Sequence, residues 1–258
     1  MRHSTEDHAI AVRVAERAAE ELLRIRSGLR NGQPAAEVRA AGDRGANTLI
    51  LELLATAAPA DPVLSEESPD DTSRLRSRRV WIVDPLDGTR EFGEAEREDW
   101  AVHVALSVDG TPVVGAVALP ATGVVLSTLA PGALPPPVSR PLQVAVSRSR
   151  PPRFAETLAE RFHADLVPMG SAGAKAAAVL SGRVDAYVHD GGQYEWDSAA
   201  PVAVARAAGA HASRMDGAPL TYNGERPEIP DLLICRPELS ERLSDFYLAW
   251  RRADGGDR

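Results

Sequence analysis

The sequence has a single cysteine among 258 residues, and that scarcity excludes whole classes of site. Neither a disulfide within the chain nor a thiolate metal centre can be built from one thiol. Cys235 directly follows the apolar run at 232–234, which predicts a buried and unreactive thiol. We therefore expect a protein of a reducing compartment, the cytoplasm.

Positive charge and long apolar runs are also in short supply. Lysine and arginine together number 29 against 37 acidic residues, for a formal net charge of -8. Because binding to a phosphate backbone needs a basic face, we expect no nucleic-acid partner. No apolar run approaches the ~20 residues of a membrane-spanning helix, and the N-terminal residues lack the apolar core of a signal peptide. The length and the 44% hydrophobic share instead favour a globular protein with one large or two moderate domains.

Periodicity divides the chain into two parts. Helical spacing in the first part predicts two helices, and period-2 runs predict short strands, the last three of them in an antiparallel meander. Ser4 and Asp7 are expected to cap the first helix, and Gly28 to end it. The predicted helices are 6–26 and 45–57, and the predicted strands are 62–65, 80–83, 100–107, 111–119 and 124–129. The first part is therefore expected to be an α+β unit.

A proline-rich segment at 131–141 separates this part from the second. Beyond it strands and helices alternate, as in an open α/β sheet, where ligands bind beyond the carboxyl ends of the strands. Those ends carry Gly170, Ser171 and residues 189–192. The predicted strands are 143–147, 164–169, 184–189 and 232–235, and the predicted helices are 153–162, 172–180, one from 195 that closes at Gly209, and 238–251. We expect domains at 1–140 and 141–258 with the active site between them.

The most informative stretch is a short apolar strand that leads into Asp84, with Asp87 three residues later. Pro85 has no N–H and is expected to end the strand, and Gly88 then completes a tight bend that turns both carboxylates toward one point. The N–H groups of Gly88 and Thr89 would open a helix and form an anion site. An ordinary Asp-Gly turn is the alternative.

Three further acids stand at the ends of predicted elements. Glu66 ends a strand, where a solvated position is the alternative. Asp197 lies at a helix start, because Pro201 must fall in the first turn, and a capping role there is compatible with metal binding. Asp43 lies just ahead of the 45–57 helix, where an N-cap is the alternative. If Glu66, Asp197 and the aspartates of the bend converge, cations must neutralise them, and ligands limited to oxygen indicate Mg²⁺ or Mn²⁺.

Three segments resemble, in order and spacing, the signature motifs of the lithium-sensitive, magnesium-dependent phosphatase superfamily. That superfamily includes inositol monophosphatases, fructose-1,6-bisphosphatases and 3'(2'),5'-bisphosphate nucleotidases. The segments are Ser65-Glu66-Glu67-Ser68, Asp84-Pro85-Leu86-Asp87-Gly88-Thr89 and Trp196-Asp197-Ser198-Ala199-Ala200. The form Asp-Gly-Thr-Arg-Glu-Phe at 87–92, and Gly170-Ser171 followed by Lys175, are most similar to the bacterial, CysQ-type nucleotidase branch. The run at 38–43, ahead of the second helix, departs from the Ser-Pro-Val-Thr type usual in the family.

The resemblance implies a layered α-β-α-β-α sandwich and two or three Mg²⁺ ions, with Mn²⁺ as an alternative. It implies one ion on Glu66, Asp84 and the Leu86 carbonyl, and a second on Asp84, Asp87 and Asp197. It further implies that Gly88 and Thr89 bind the reacting phosphate, that Thr89 and Asp43 activate water, and that Arg90, Ser171 and Lys175 contact the substrate. For Arg90 an ion pair with Glu94 is the alternative, and His103 is predicted to be structural.

The implied activity is hydrolysis of 3'-phosphoadenosine 5'-phosphate, a by-product of sulfate assimilation, to AMP and phosphate. The enzyme would be cytoplasmic and take a small phosphorylated substrate, with no membrane partner and with a homodimer as the family's common assembly. A broader inositol or sugar phosphatase, including one for fructose-1,6-bisphosphate, is the alternative within the same chemistry. A non-catalytic nucleotide-binding protein is the alternative from a different class, and the intact set of acids argues against it.

Overall fold

A computed structural model describes residues 3–254. The helices in that range are α1 (Thr5–Arg30), α2 (Ala35–Ala57), α3 (Thr89–Phe92), α4 (Ala155–Phe162), α5 (Ala172–Leu180), α6 (Glu195–Ala207) and α7 (Ser240–Ala253). The strands are β1 (Val63–Ser65), β2 (Arg79–Asp87), β3 (Ala101–Val108), β4 (Thr111–Leu119), β5 (Val124–Ser127), β6 (Gln143–Ser147), β7 (Asp165–Met169), β8 (Ala186–His189), β9 (Gln193–Tyr194), β10 (His211–Ser213), β11 (Glu228–Ile229) and β12 (Leu232–Cys235).

These elements stack in five layers. The first sheet has the order β1-β2-β3-β4-β5, with β1 parallel to β2 and the other pairs antiparallel. The second has the order β10-β12-β8-β6-β7 and is mixed, with β6 parallel to both β7 and β8. Helices α1 and α2 cover the outer face of the first sheet, α5 and α6 fill the space between the sheets, and α4 and α7 cover the second. The predicted α-β-α-β-α sandwich and its meander are confirmed.

Most side chains of the central strands are apolar because both faces of the first sheet are covered. Side chains alternate along β2, so Trp81 and Val83 pack against α1 and α2 while Val80 and Ile82 pack toward α5 and α6. All four are completely buried. The carboxyl end of β2 therefore opens between layers, which is where the predicted acids begin. Within residues 3–254 no helix combines the length and apolar character needed to cross a membrane.

Two predicted helix boundaries are wrong. The Ser4–Asp7 capping box is present, but α1 continues past Gly28 to Arg30. Gly28 does not end the helix because it is buried inside it, under the side chain of Gln33. Helix α2 begins at Ala35 rather than near 45, since the alanine-rich run favours helix. Asp43 is consequently in the middle of α2, and the N-cap alternative for it is wrong.

The predicted end of the central strand is also wrong. The strand β2 runs through Pro85 to Asp87, which pairs with Ala101, and the ladder loses its register between Asp84 and Asp87. A proline is tolerated there because an irregularity in the ladder does not need its N–H. The other predicted elements differ from the structure by a residue or two at their ends. The division into domains at the 131–141 segment stays a prediction.

Candidate metal and phosphate site

The end of β2 brings two aspartates into one bend. Asp84 and Asp87 are almost completely buried. The Leu86 N–H donates to Oδ1 of Asp84 at 3.0 Å, which closes the bend between them. Gly88 then takes a φ of 90°, a left-handed conformation that a side chain would strain. The chain thus turns both carboxylates inward and starts α3 at Thr89.

Two other elements bring acids to the same point. Asp197 lies in the first turn of α6, where its Oδ2 accepts the Tyr194 N–H at 2.6 Å, so the predicted capping contact is present. Glu66 directly follows β1, the parallel neighbour of β2. Asp84, Asp87 and Asp197 each offer an oxygen, and these oxygens all lie within 4.8 Å of one another. Glu66 joins them in the wall of a cavity of about 240 Å³.

Burial and mutual repulsion raise the pKa of most of these carboxylates. Burial and then Glu66 raise the pKa of Asp84 well above its ordinary value. Burial and Asp197 raise the pKa of Glu66 to about 7, and burial and Asp87 raise the pKa of Asp197 to about 6. Oδ2 of Asp84 is buried and has no hydrogen-bond partner among the described residues. An orphaned acceptor among like charges fits a bound cation, and a donor set made of oxygen fits a hard divalent ion.

Asp87 differs from the other acids because donors surround it. Burial would raise its pKa, but His103, Lys175 and Ser171 together lower it. Nε2 of His103 lies 3.2 Å from Oδ2 of Asp87, and Nδ1 lies 3.1 Å from the Trp196 carbonyl oxygen. Burial lowers the pKa of His103, but Asp87 and that carbonyl raise it more. The sequence predicted His103 to be merely structural; the structure places it against an acid of the site.

The predicted partnership of Asp43 and Thr89 has a clear geometry. Thr89 Oγ1 lies 3.3 Å from Oδ1 of Asp43 and 3.1 Å from the Leu86 carbonyl oxygen. Gly42 makes this approach possible, since a Cβ there would lie 2.7 Å from the Phe92 ring. Burial, and then Glu67, raise the pKa of Asp43 to about 6. Helix α2 therefore places the carboxyl group of Asp43, whose pKa is raised, next to the hydroxyl group of Thr89.

Ser171 and Lys175 are more buried than a role in substrate contact suggests. Ser171 caps α5, accepting the Ala174 N–H at 3.0 Å, and donates its hydroxyl to Asp87. Lys175 is 3% exposed and donates to the carbonyl oxygens of Gly170 and Ser171. Both residues line the cavity, so they lie where the sequence predicted, but their polar groups already have partners in the protein.

Arg90 lies exposed at the cavity, and within residues 3–254 it makes no ion pair. The alternative pairing with Glu94 is wrong, because Glu94 pairs with Arg148 at 2.8 Å. The sequence had pointed to the strand end at 189–192 without naming individual roles. The further residues that line the cavity are Glu91, Ser147, Ser149, Arg150, Gly170, Ala172, His189, Gly192 and Gln193.

Comparison with known proteins agrees with this geometry. The model of the inositol monophosphatase family matches residues 3–244. The chain is 51% identical over 243 residues to a 3'-phosphoadenosine 5'-phosphate phosphatase of Mycobacterium bovis, covering 91% of both chains. It is 36% identical over 196 residues to the 3'(2'),5'-bisphosphate nucleotidase CysQ of Escherichia coli, covering 70% of this chain and 78% of that one.

A solved structure agrees as well. CysQ from Bacteroides thetaiotaomicron, described as a bacterial member of the inositol monophosphatase family, superposes with a TM-score of 0.77 at 25% identity. The match covers 91% of this chain and 98% of that one. The likeness therefore spans both sheets and the helices between them.

Proposed function

The chain belongs to the inositol monophosphatase family, and we propose that it is a magnesium-dependent phosphatase that hydrolyses 3'-phosphoadenosine 5'-phosphate to AMP and phosphate. The observation that carries this proposal is the meeting of Asp84, Asp87 and Asp197 beside the bend at Gly88 and Thr89. Relatives named for this substrate are about half identical to the chain. A non-catalytic protein has no need to keep so many acids together, since buried carboxylates repel one another, as their raised pKa values indicate.

The residues present suit two ions, as the family resemblance implies. Glu66, Asp84 and the Leu86 carbonyl would hold one, and Asp84, Asp87 and Asp197 the other. Bound there, divalent ions supply positive charge to the phosphate oxygens and lower the pKa of water. The first N–H groups of a helix have no partner within it, so those that open α3 would serve to receive an anion, although so short a helix offers only a few of them.

Water attack is the step that Asp43 and Thr89 would serve. In hydrolysis the water oxygen bonds to phosphorus while the bond from phosphorus to the ribose 3'-oxygen breaks. Thr89 would orient the water and accept its proton, passing its own hydroxyl proton to Asp43 across the 3.3 Å contact. The departing ribose oxygen takes up a proton, so the products are a neutral hydroxyl on AMP and free phosphate.

The second phosphate of the substrate requires a cation, and the cationic side chains that line the cavity are Arg90, Arg150 and Lys175. Arg90 is exposed there and has no acidic partner among the described residues. Lys175 is buried beneath Gly170 and Ser171, so its charge would act at the floor of the cavity rather than at its mouth. We propose Arg90, Ser171 and Lys175 as the substrate-binding side, with Arg90 the group that is free to move onto the ligand.

Phosphate release from a panel of nucleotide, inositol and sugar phosphates, with and without Mg²⁺, tests this function. We expect kcat/KM for 3'-phosphoadenosine 5'-phosphate to exceed that for inositol 1-phosphate by more than ~10-fold, a difference of about 1.4 kcal/mol in transition-state binding. A ratio near one, or one that favours inositol or fructose-1,6-bisphosphate, would replace the nucleotide by a sugar or inositol substrate. No release from any of them would reject a phosphatase.

A further inference from the structure

We propose that His103 is a positioning residue, which holds Asp87 and Asp197 at the separation that a shared metal ion needs. Because both aspartates are proposed metal ligands, this inference rests on the proposed function. His103 is completely buried in β3 and is not part of the cavity wall. Its effect on the site must therefore pass through the groups that it touches.

The ring joins the two elements that carry these acids. Nδ1 lies 3.1 Å from the carbonyl oxygen of Trp196, the residue directly before Asp197 in α6. A carbonyl oxygen only accepts hydrogen bonds, so Nδ1 is the donor in this contact. Nε2 lies 3.2 Å from Oδ2 of Asp87 at the end of β2, which is an ion-pair distance outside hydrogen-bond geometry. One rigid ring thus spans from the carboxylate of Asp87 to the peptide bond that begins Asp197.

The contacts of Asp87 are divided unequally between its two oxygens. Oδ2 accepts from the Ser171 hydroxyl and from the Gly173 N–H at 2.8 Å, in addition to its contact with His103. Oδ1 receives no hydrogen bond from any residue in the range 3–254. Fixing one oxygen orients the carboxylate and leaves the other for a ligand, which is what outer contacts of a metal ligand do.

The packing around the ring keeps it in place. A Cβ at Gly173 would lie 2.3 Å from Nε2 of His103 and 2.9 Å from the Val117 side chain. Helix α5 therefore approaches β3 closely only because this residue is glycine, and the ring is held between helix and strand. Because the ring is closely packed, it can keep Asp87 and the start of Asp197 at a fixed distance, which a mobile ring could not do.

The two contacts of the His103 ring, with Asp87 and with Trp196, together form what we call the bridge. Three substitutions test these contacts separately and together. The side-chain amide of His103→Asn reaches about as far as Nδ1 and retains a donor for Trp196, while that of His103→Gln reaches about as far as Nε2 and retains a donor for Asp87. His103→Leu removes both contacts. Ser107→Ala is the matched control, since Ser107 is buried in the same strand and its hydroxyl has no partner among the described residues.

The measurement is binding of Mn²⁺ to the metal-free full chain without substrate, followed by electron paramagnetic resonance. We expect His103→Leu to weaken Mn²⁺ binding by ~10–100-fold, the usual loss when a partner of a metal ligand is removed. We expect smaller losses in His103→Asn and His103→Gln, and none in Ser107→Ala. At saturating Mg²⁺ the kcat of each variant should stay within a few-fold of wild type, because the loss is one of affinity.

Mn²⁺ affinity of His103→Leu within about twofold of wild type, with an unchanged circular dichroism spectrum, would overturn the bridge. If that variant does not fold, wild-type affinity in both His103→Asn and His103→Gln overturns it equally, as does an equal loss in Ser107→Ala. If the wild-type protein binds Mn²⁺ and hydrolyses its substrate, and the His103 variants bind Mn²⁺ equally tightly, the bridge is rejected while the proposed function stands. A wild-type chain that binds no Mn²⁺ rejects the proposed function, and the bridge with it.

Discussion

Replacing Asp43 by asparagine and Thr89 by valine should separate a chemical role from a structural one. The Thr89 hydroxyl has a single proton, and two acceptors lie near it, Oδ1 of Asp43 at 3.3 Å and the Leu86 carbonyl oxygen at 3.1 Å. If Asp43 draws that proton during water attack, either substitution should lower kcat by ~10²–10⁴-fold. The double variant should lose little more than either single one, because residues that act as a unit are not additive.

The stability of Asp43→Asn gives an independent check. The pKa of Asp43 is about 6 in the folded protein against an ordinary 3.8, so the folded state binds the proton more tightly. For an acid with a raised pKa, stability falls as pH rises from the unfolded value through the folded one, and at pH 8 the full cost is present. Two pKa units correspond to about 3 kcal/mol, and solvent screening of this partly exposed group reduces that to about 1 kcal/mol.

Asparagine removes that cost, so Asp43→Asn should melt at the same temperature as wild type at pH 8 or ~2–4 °C higher, while nearly inactive. Melting is measured in excess chelator, since bound cations would mask the effect, and kcat is measured at saturating Mg²⁺ and substrate. A lower melting temperature with kcat intact, or rate losses that multiply in the double variant, would refute the relay.

Three further outcomes are expected. Excess chelator should abolish phosphate release and Mg²⁺ should restore it; full activity in chelator would exclude the two-ion site. Asp84→Asn should lose far more activity than Glu67→Gln, because the buried Asp84 is proposed to contact both ions and Glu67 is proposed to contact neither. Equal losses would contradict the assignment. Asp70→Asn should lower the free energy of unfolding by about 2 kcal/mol, because it leaves the completely buried Arg74 without its carboxylate. Asp109→Asn, in the exposed pair with Arg78, should cost well under 1 kcal/mol, and equal costs in urea unfolding would refute the distinction.

The parts of the site that depend on local backbone chemistry were predictable from the sequence. A strand too apolar to be half exposed leads into Asp84 and Asp87, and Gly88 ends it, so the two acids lie at a buried bend as predicted. The part assigned to Pro85 was wrong, because the strand runs through it. Asp197 does lie in the first turn of α6, but the reason predicted for it is wrong: Pro201 lies inside the helix rather than in its first turn. The capping contact with the Tyr194 N–H marks the helix start instead. The convergence of these acids could be expected because each stands at the end of an element.

The error over Asp43 has a tertiary cause. An aspartate ahead of an apolar helical run is typical of an N-cap, and that local pattern was present at 43–45. The helix starts earlier because the alanine-rich residues before it also favour helix, and because Gly42 lets it pack against Phe92 and Leu86. Those contacts join residues more than forty positions apart, and no local pattern records them. The same contacts bring Asp43 to Thr89, so the feature that defeated the boundary prediction is also the one that builds the proposed relay.

The contacts of His103 could not be predicted from the sequence for a different reason. A histidine in an otherwise apolar strand signals only that a polar group is buried, and such a group must find partners wherever the fold supplies them. Its partners are Trp196, 93 positions away, and Asp87, each contributed by a different element. The alternation of side chains along β3 predicts that His103 lies on the opposite face from Val102 and Val104, toward the helices between the sheets. It does not predict which helix end the ring contacts. A residue of this kind is found by asking which groups surround each buried polar atom. Here the ring lies 3.2 Å from one oxygen of Asp87, and the other oxygen receives no hydrogen bond from residues 3–254.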